Sequence, residues 1–178
     1  MNTSMMSNWR LAPRRAVPAL PDVLGLAGAL AGLGGGLVMW VVSTLLSEAL
    51  GLDLWFQPKV IASLVLGPSV VAQAGFAAGA VLVGALIHLT MAVLLGVLFE
   101  IFMRRVARLP SDLGVPELTG LTYGMLIWLV DYFVVAPVLS PLLLQIYAPA
   151  LIIQNIVYGA VTGLLYSVLR PQPYASSF

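Results

Sequence analysis

Four long stretches of nearly unbroken apolar residues, separated by short polar or proline-bearing segments, set the plan of this chain. About 20 apolar residues rising 1.5 Å each cross the hydrocarbon core of a bilayer. The stretches therefore read as transmembrane helices at about 23–50, 76–103, 117–140 and 149–169. Inside the second, every fourth residue is small or polar: Ala80, Gly84, His88, Ala92, Gly96 and Glu100. Four-residue spacing lays these on one face of a helix. Small residues there let a second backbone come close, which is how helices associate in lipid. The first stretch uses the same device at Gly28, Gly32 and Gly36, the third at Gly120 and Gly124, and the fourth at Gly159 and Gly163.

The segment at 51–75 is apolar too, but Pro58 and Pro68 break it. Pro58 suits the first turn of a helix and Gly67-Pro68 its end. The piece between, Pro58 to Leu66, is too short to cross a bilayer, and Trp55 and Phe56 suit the headgroup level. An interfacial or re-entrant helix is expected. The chain thus divides into an N-terminal tail at 1–22, a bundle at 23–170 and a C-terminal tail at 171–178.

Composition agrees with this plan. The 178 residues are 61% hydrophobic and 8% charged, with a mean hydropathy of +1.03. A soluble domain carries about a quarter charged residues, so this chain has too few to cover a water-facing surface. All its lysines and arginines except Lys59 fall in the first tail, in the loop after the second span or after the fourth span. The positive-inside rule then places both termini in the cytoplasm of a bacterial inner membrane. Arg14-Arg15 in the tail is also compatible with an export signal, but the apolar run behind it is span-length without a clear Ala-x-Ala end, which reads as a retained anchor.

Composition also narrows the chemistry. With no cysteine there is no disulfide, thiolate metal site, iron–sulfur cluster or c-type haem. His88 is the only histidine, which excludes bis-histidine haem; a His–Met pair with Met39, Met91 or Met125 is open, although such methionines mostly pack. No cofactor, metal or catalytic residue is expected. A net charge of +1 argues against nucleic acid. The bilayer and other integral membrane subunits are the expected partners.

The halves of the bundle match each other. Gly32-Leu33, Gly36, Trp40 and Val42 align with Gly120-Leu121, Gly124, Trp128 and Val130; His88, Ala92, Gly96 and Phe99 align with Asn155, Gly159, Gly163 and Tyr166. Both halves would cross in the same direction, so the pattern predicts a parallel 2+2 repeat about an axis along the membrane normal. Convergent use of small-xxx-small packing is the alternative. The alignment equates Ser43 with Asp131 and His88 with Asn155, a polar set expected to converge in the outer half of the bundle.

Asp131 is the most expensive of them, at about 2.5–3.5 kcal/mol for an Asp at mid-membrane. It has three readings: a hydrogen-bonded pair with His88 that joins two helices, a proton- or solute-handling site, or a contact with another subunit. Ser43, His88 and Asp131 have the composition of a hydrolase triad, but no Gly-x-Ser-x-Gly elbow surrounds Ser43. Glu48 and Glu100 lie near span ends and read as solvated or interfacial.

Trp55-Phe56-Gln57-Pro58-Lys59-Val60-Ile61-Ala62 with Leu66-Gly67-Pro68, His88-Leu89 with Gly96, Tyr123 to Trp128 through Pro137 and Pro141, and Tyr158-Gly159 form a set of apolar motifs. On these the chain resembles a group of uncharacterised small bacterial four-helix inner-membrane proteins with a YagU-like layout. The resemblance implies an architecture and no activity. It also implies a second histidine three residues before the Tyr-Gly, where this chain has Asn155. The resulting expectation is an all-α integral membrane protein, four spans plus an interfacial helix. It would be non-catalytic, an accessory subunit packed against a larger assembly such as a respiratory or photosynthetic electron-transfer complex. A small proton or solute conductor using Asp131 and His88 is the alternative.

Overall fold

The computed structural model describes residues 20–109, 114–139 and 141–170, and these form helices and connecting turns. The expected tails at 1–22 and 171–178 lie almost wholly outside the described residues. Helix α1 runs Leu26–Ala49, α2 Phe56–Leu66, α3 Ala78–Ile101, α4 Val115–Val130, α5 Ala136–Leu139 and α6 Ala148–Leu169. Four segments are long and apolar enough to cross a membrane: Leu26–Ala49, Ala78–Val106, Val115–Leu139 and Ala148–Leu169.

Local chemistry explains the ends. Gly25 enters α1 at φ 93°, in the left-handed region that suits glycine. Pro116 and Pro149 sit in the first turns of α4 and α6, where a missing N–H removes no helical bond. Glu117 reaches back to accept the Gly114 N–H at 2.6 Å, using one orphan donor at the start of α4. Gly67, at φ 85°, ends α2. The continuation of α4 toward α5 widens into a π turn over Asp131–Val135, with the Ala136 N–H donating to the Asp131 carbonyl. Pro137 supplies the cause: it has no N–H for the Phe133 carbonyl, and its ring presses on that turn.

Helix α6 packs against both α4 and α1, α1 against α3, and α3 against α2. Helices α3 and α4 meet chiefly through side chains. The Tyr123 hydroxyl donates to the Leu95 carbonyl at 2.9 Å, and the Phe99 and Tyr123 rings lie 5.4 Å apart. Residue size is inverted relative to a soluble bundle. The seams hold Gly28, Ala31, Gly32, Gly96 and Gly159, while Leu45, Leu82, Leu86, Leu118, Leu126 and Val168 face outward. This is the distribution expected of helices that associate in lipid, where close backbone packing rather than hydrophobic force brings them together.

Candidate functional site: a polar-edged cavity between α3 and α4

The glycine seams position everything else. A Cβ added at Gly28 would collide with the Gly96 carbonyl, and one at Gly96 with the Gly28 carbonyl; at Gly32 it would strike the Ala92 carbonyl, and at Gly36 the Ala92 side chain. In the α4–α6 seam Gly120 and Gly159 face each other's carbonyls, Gly124 faces the Asn155 carbonyl and Gly163 that of Pro116. Gly84 lies against the Pro58 carbonyl, so the same stripe on α3 that receives α1 also seats α2. Sequence reading passed over Gly35, whose added Cβ would meet Thr162 and the Tyr158 carbonyl in the α1–α6 seam.

The α1–α3 seam brings His88 to the Gly36 carbonyl. Its Nε2 lies 3.0 Å from that oxygen, and its ring meets Trp40 edge-on at 5.7 Å. A carbonyl can only accept, so Nε2 carries the proton and donates. His88 is thus held by α1. Among the described residues the Asp131 side chain forms no hydrogen bond or ion pair, so the expected His88–Asp131 pair is not made. Asp131 sits instead at the π turn, facing a shared space.

That space is a cavity of about 260 Å³ lined by residues of α1–α6, with His88, Asp131 and Asn155 at its polar edge. Its body is apolar, including Met39, Ile87, Met91, Leu95, Ile127 and Leu139. Asn155 donates its amide to the Leu151 carbonyl at 3.0 Å, and the Tyr158 hydroxyl donates to the Ala92 carbonyl at 2.7 Å. Tyr123 and Tyr158 hold α4 and α6 to the carbonyls of α3 on the closed side of the cavity.

Ser43 is not on its wall. The Ser43 hydroxyl donates to Gln57, and the Gln57 amide donates to Gln154 at 2.6 Å, joining α1, α2 and α6. Of the four polar residues expected to converge, three therefore share the cavity, and Ser43 adjoins it through Gln57, which lines both spaces. Gln57 and Gln154 were missing from the expected cluster. Buried glutamines in apolar stretches were the available signal, since a buried amide needs a partner.

Two buried charges lie away from the cavity. Glu100 is fully buried, which corrects the interfacial reading. Its carboxylate accepts the Gly28 N–H at 2.7 Å and pairs with Arg104 at 3.0 Å, while Arg104 also meets Asp22 at 2.7 Å. The N-terminus of α1 carries orphan N–H groups and a partial positive charge, and Glu100 satisfies both from the neighbouring helix. Lys59 is 1% exposed and bonds Asp53 at 2.5 Å and the Gln73 carbonyl at 2.6 Å, tying both flanks of α2 together. The Lys59 ammonium, with the Trp55 N–H, holds the Asp53 carboxyl below the usual range against the opposing effect of burial.

These features define a class: an all-helical protein of four membrane-length apolar helices around a partly open cavity. Residues 23–177 match the model of DUF6789, a family of unknown function, and the chain belongs to that family. No curated protein and no solved structure matches it.

Proposed function

We propose that this is a multi-pass inner-membrane protein that takes a small solute or proton into the cavity between α3 and α4 and passes it through Asp131 and His88. The carrying observation is Asp131: a carboxyl group on a cavity wall inside an apolar bundle, with no partner among the described residues. Ionisable groups at membrane depth are expensive, and face partners, water or cargo. An open wall of this kind supports a conducting role over simple helix gluing. In liposomes, wild-type protein should carry the flux and Asp131→Asn should abolish it at equal protein content; equal flux in both counts against the reading.

A 2+2 duplication is part of the same proposal, with a YagU-like layout and cytoplasmic termini. Equivalent contacts support it: Gly32 against Ala92 corresponds to Gly120 against Gly159, and Gly28 against Gly96 to Pro116 against Gly163. The departure is instructive. Gly35, where α1 closes on Thr162 of α6, corresponds to Tyr123, whose ring stands between α4 and Leu95 of α3. One half-to-half contact closes on a glycine, and the other is made through the Tyr123 side chain, which bonds the Leu95 carbonyl.

The accessory-subunit role rests on composition, because the chain has little mass outside its helices with which to act alone. Pull-down in mild detergent tests it. Co-purification with a larger complex, without flux from the isolated protein, supports it.

A further inference from the structure

We infer that the cavity between α3 and α4 binds an apolar amine, its protonated nitrogen against Asp131 and its hydrocarbon body among the methionine, leucine and isoleucine side chains behind. The inference rests on the proposed solute-binding role and narrows the ligand to a chemical class.

Donor and acceptor accounting decides that class. Asp131 offers two oxygens with no partner among the described residues. His88 spends its Nε2–H on the Gly36 carbonyl, so the neutral ring presents Nδ1 to accept. Asn155 donates one amide hydrogen to Leu151, which leaves its side-chain oxygen and its second N–H, and Gln57, bonded to Ser43 and Gln154, keeps one N–H. Tyr158 spends its hydroxyl proton on Ala92. The amides at the polar edge can donate or accept, and Asp131 is its one group able to carry a negative charge. Among the lining residues there is one carboxyl group, and no lysine or arginine.

An anion would meet no positive charge there, and a neutral carbonyl compound would leave the Asp131 carboxylate without a donor. A bare metal ion would exchange its hydration for a mostly apolar wall. A hydrocarbon amine matches both parts. Its ammonium pairs with the Asp131 carboxylate, and its body replaces water against Met39, Met91 and Leu95. A volume of about 260 Å³ lies just below the range of ligand pockets, which begins at about 300 Å³, and fits a small amine with a short apolar body.

The test titrates the purified full chain in detergent micelles with 4-phenylbutylamine and with 4-phenylbutanol, its uncharged counterpart of similar size. Binding to empty micelles is subtracted. The amine should bind saturably, one per chain, at least ten-fold tighter than the alcohol. Asp131→Asn should abolish that preference while leaving the thermal unfolding midpoint in place, and Asp131→Glu should retain it. Equal affinity for amine and alcohol, failure of the amine to bind, or a preference that survives Asp131→Asn overturns the inference. Flux that depends on Asp131 but shows no amine preference would leave the conducting role standing and remove only the ligand class.

Discussion

Glu100 shows how little a residue's type says about its surroundings. A carboxylate one turn from a run of arginines reads as surface chemistry, yet it is buried and accepts a helix-end N–H, that of Gly28, 72 positions earlier in the chain. Glu100→Ala would leave the Gly28 N–H without its acceptor and take a buried carboxylate from Arg104, lowering stability by about 3 kcal/mol. Asp22→Ala removes an exposed arm and should cost less than about 1 kcal/mol. Thermal unfolding in one detergent compares the two, and equal losses would contradict the capping role. Asp53 supplies a pH-dependent case. Its carboxyl is held below its ordinary value, so the Lys59 contact stabilises the fold above the unfolded-state pKa of about 3.9 and is lost as pH falls through the lower folded value. The stability gap between wild type and Asp53→Asn should be full at pH 7 and close below about pH 4. A gap that stays constant into acid would show that the ion pair contributes nothing.

At the scale of the helix, the glycines divide into those that admit a side chain and those that do not. Gly32 and Gly159 face backbone, which has no rotamer to move aside. Gly32→Leu or Gly159→Leu should each destabilise by at least about 1–3 kcal/mol, the ordinary cost of overpacking. Gly79 in the first turn of α3 has open space, and Gly79→Ala should be neutral or stabilising by about 0.4–1 kcal/mol. Unfolding midpoints that ranked the three alike would refute the seam assignment. The four-residue rhythm was legible because it is a property of one helix. Which helix closes on it was not: the α3 stripe accepts α1 through Ala92 and Gly96, and α2 through Gly84. Helix α2 itself was visible from Pro58 and Gly67-Pro68, but its burial through Gln57 and Lys59 was hidden.

For the whole molecule, the proposed topology puts both termini on the cytoplasmic side and Lys59 opposite, from the placement of the lysines and arginines along the chain. The chain lacks cysteine, so single substitutions give clean reporters. In intact cells a membrane-impermeant maleimide should label Ala74→Cys readily, and should label Ala107→Cys only after lysis. The reverse pattern would invert the topology.

The sequence by itself determined the all-helical plan, the apolar spans, the turn residues and the packing stripes, because each depends on neighbours within about one or two helical turns. The tertiary structure decided the pairings. Whether His88 met Asp131 or Gly36, whether Glu100 faced water or a helix end, and whether α3 and α4 closed or left a cavity all depend on distances between segments far apart in the chain. No local periodicity encodes those distances. They follow from where backbones can touch, as at Gly28 and Gly96, and where only side chains bridge, as at Tyr123 and Leu95.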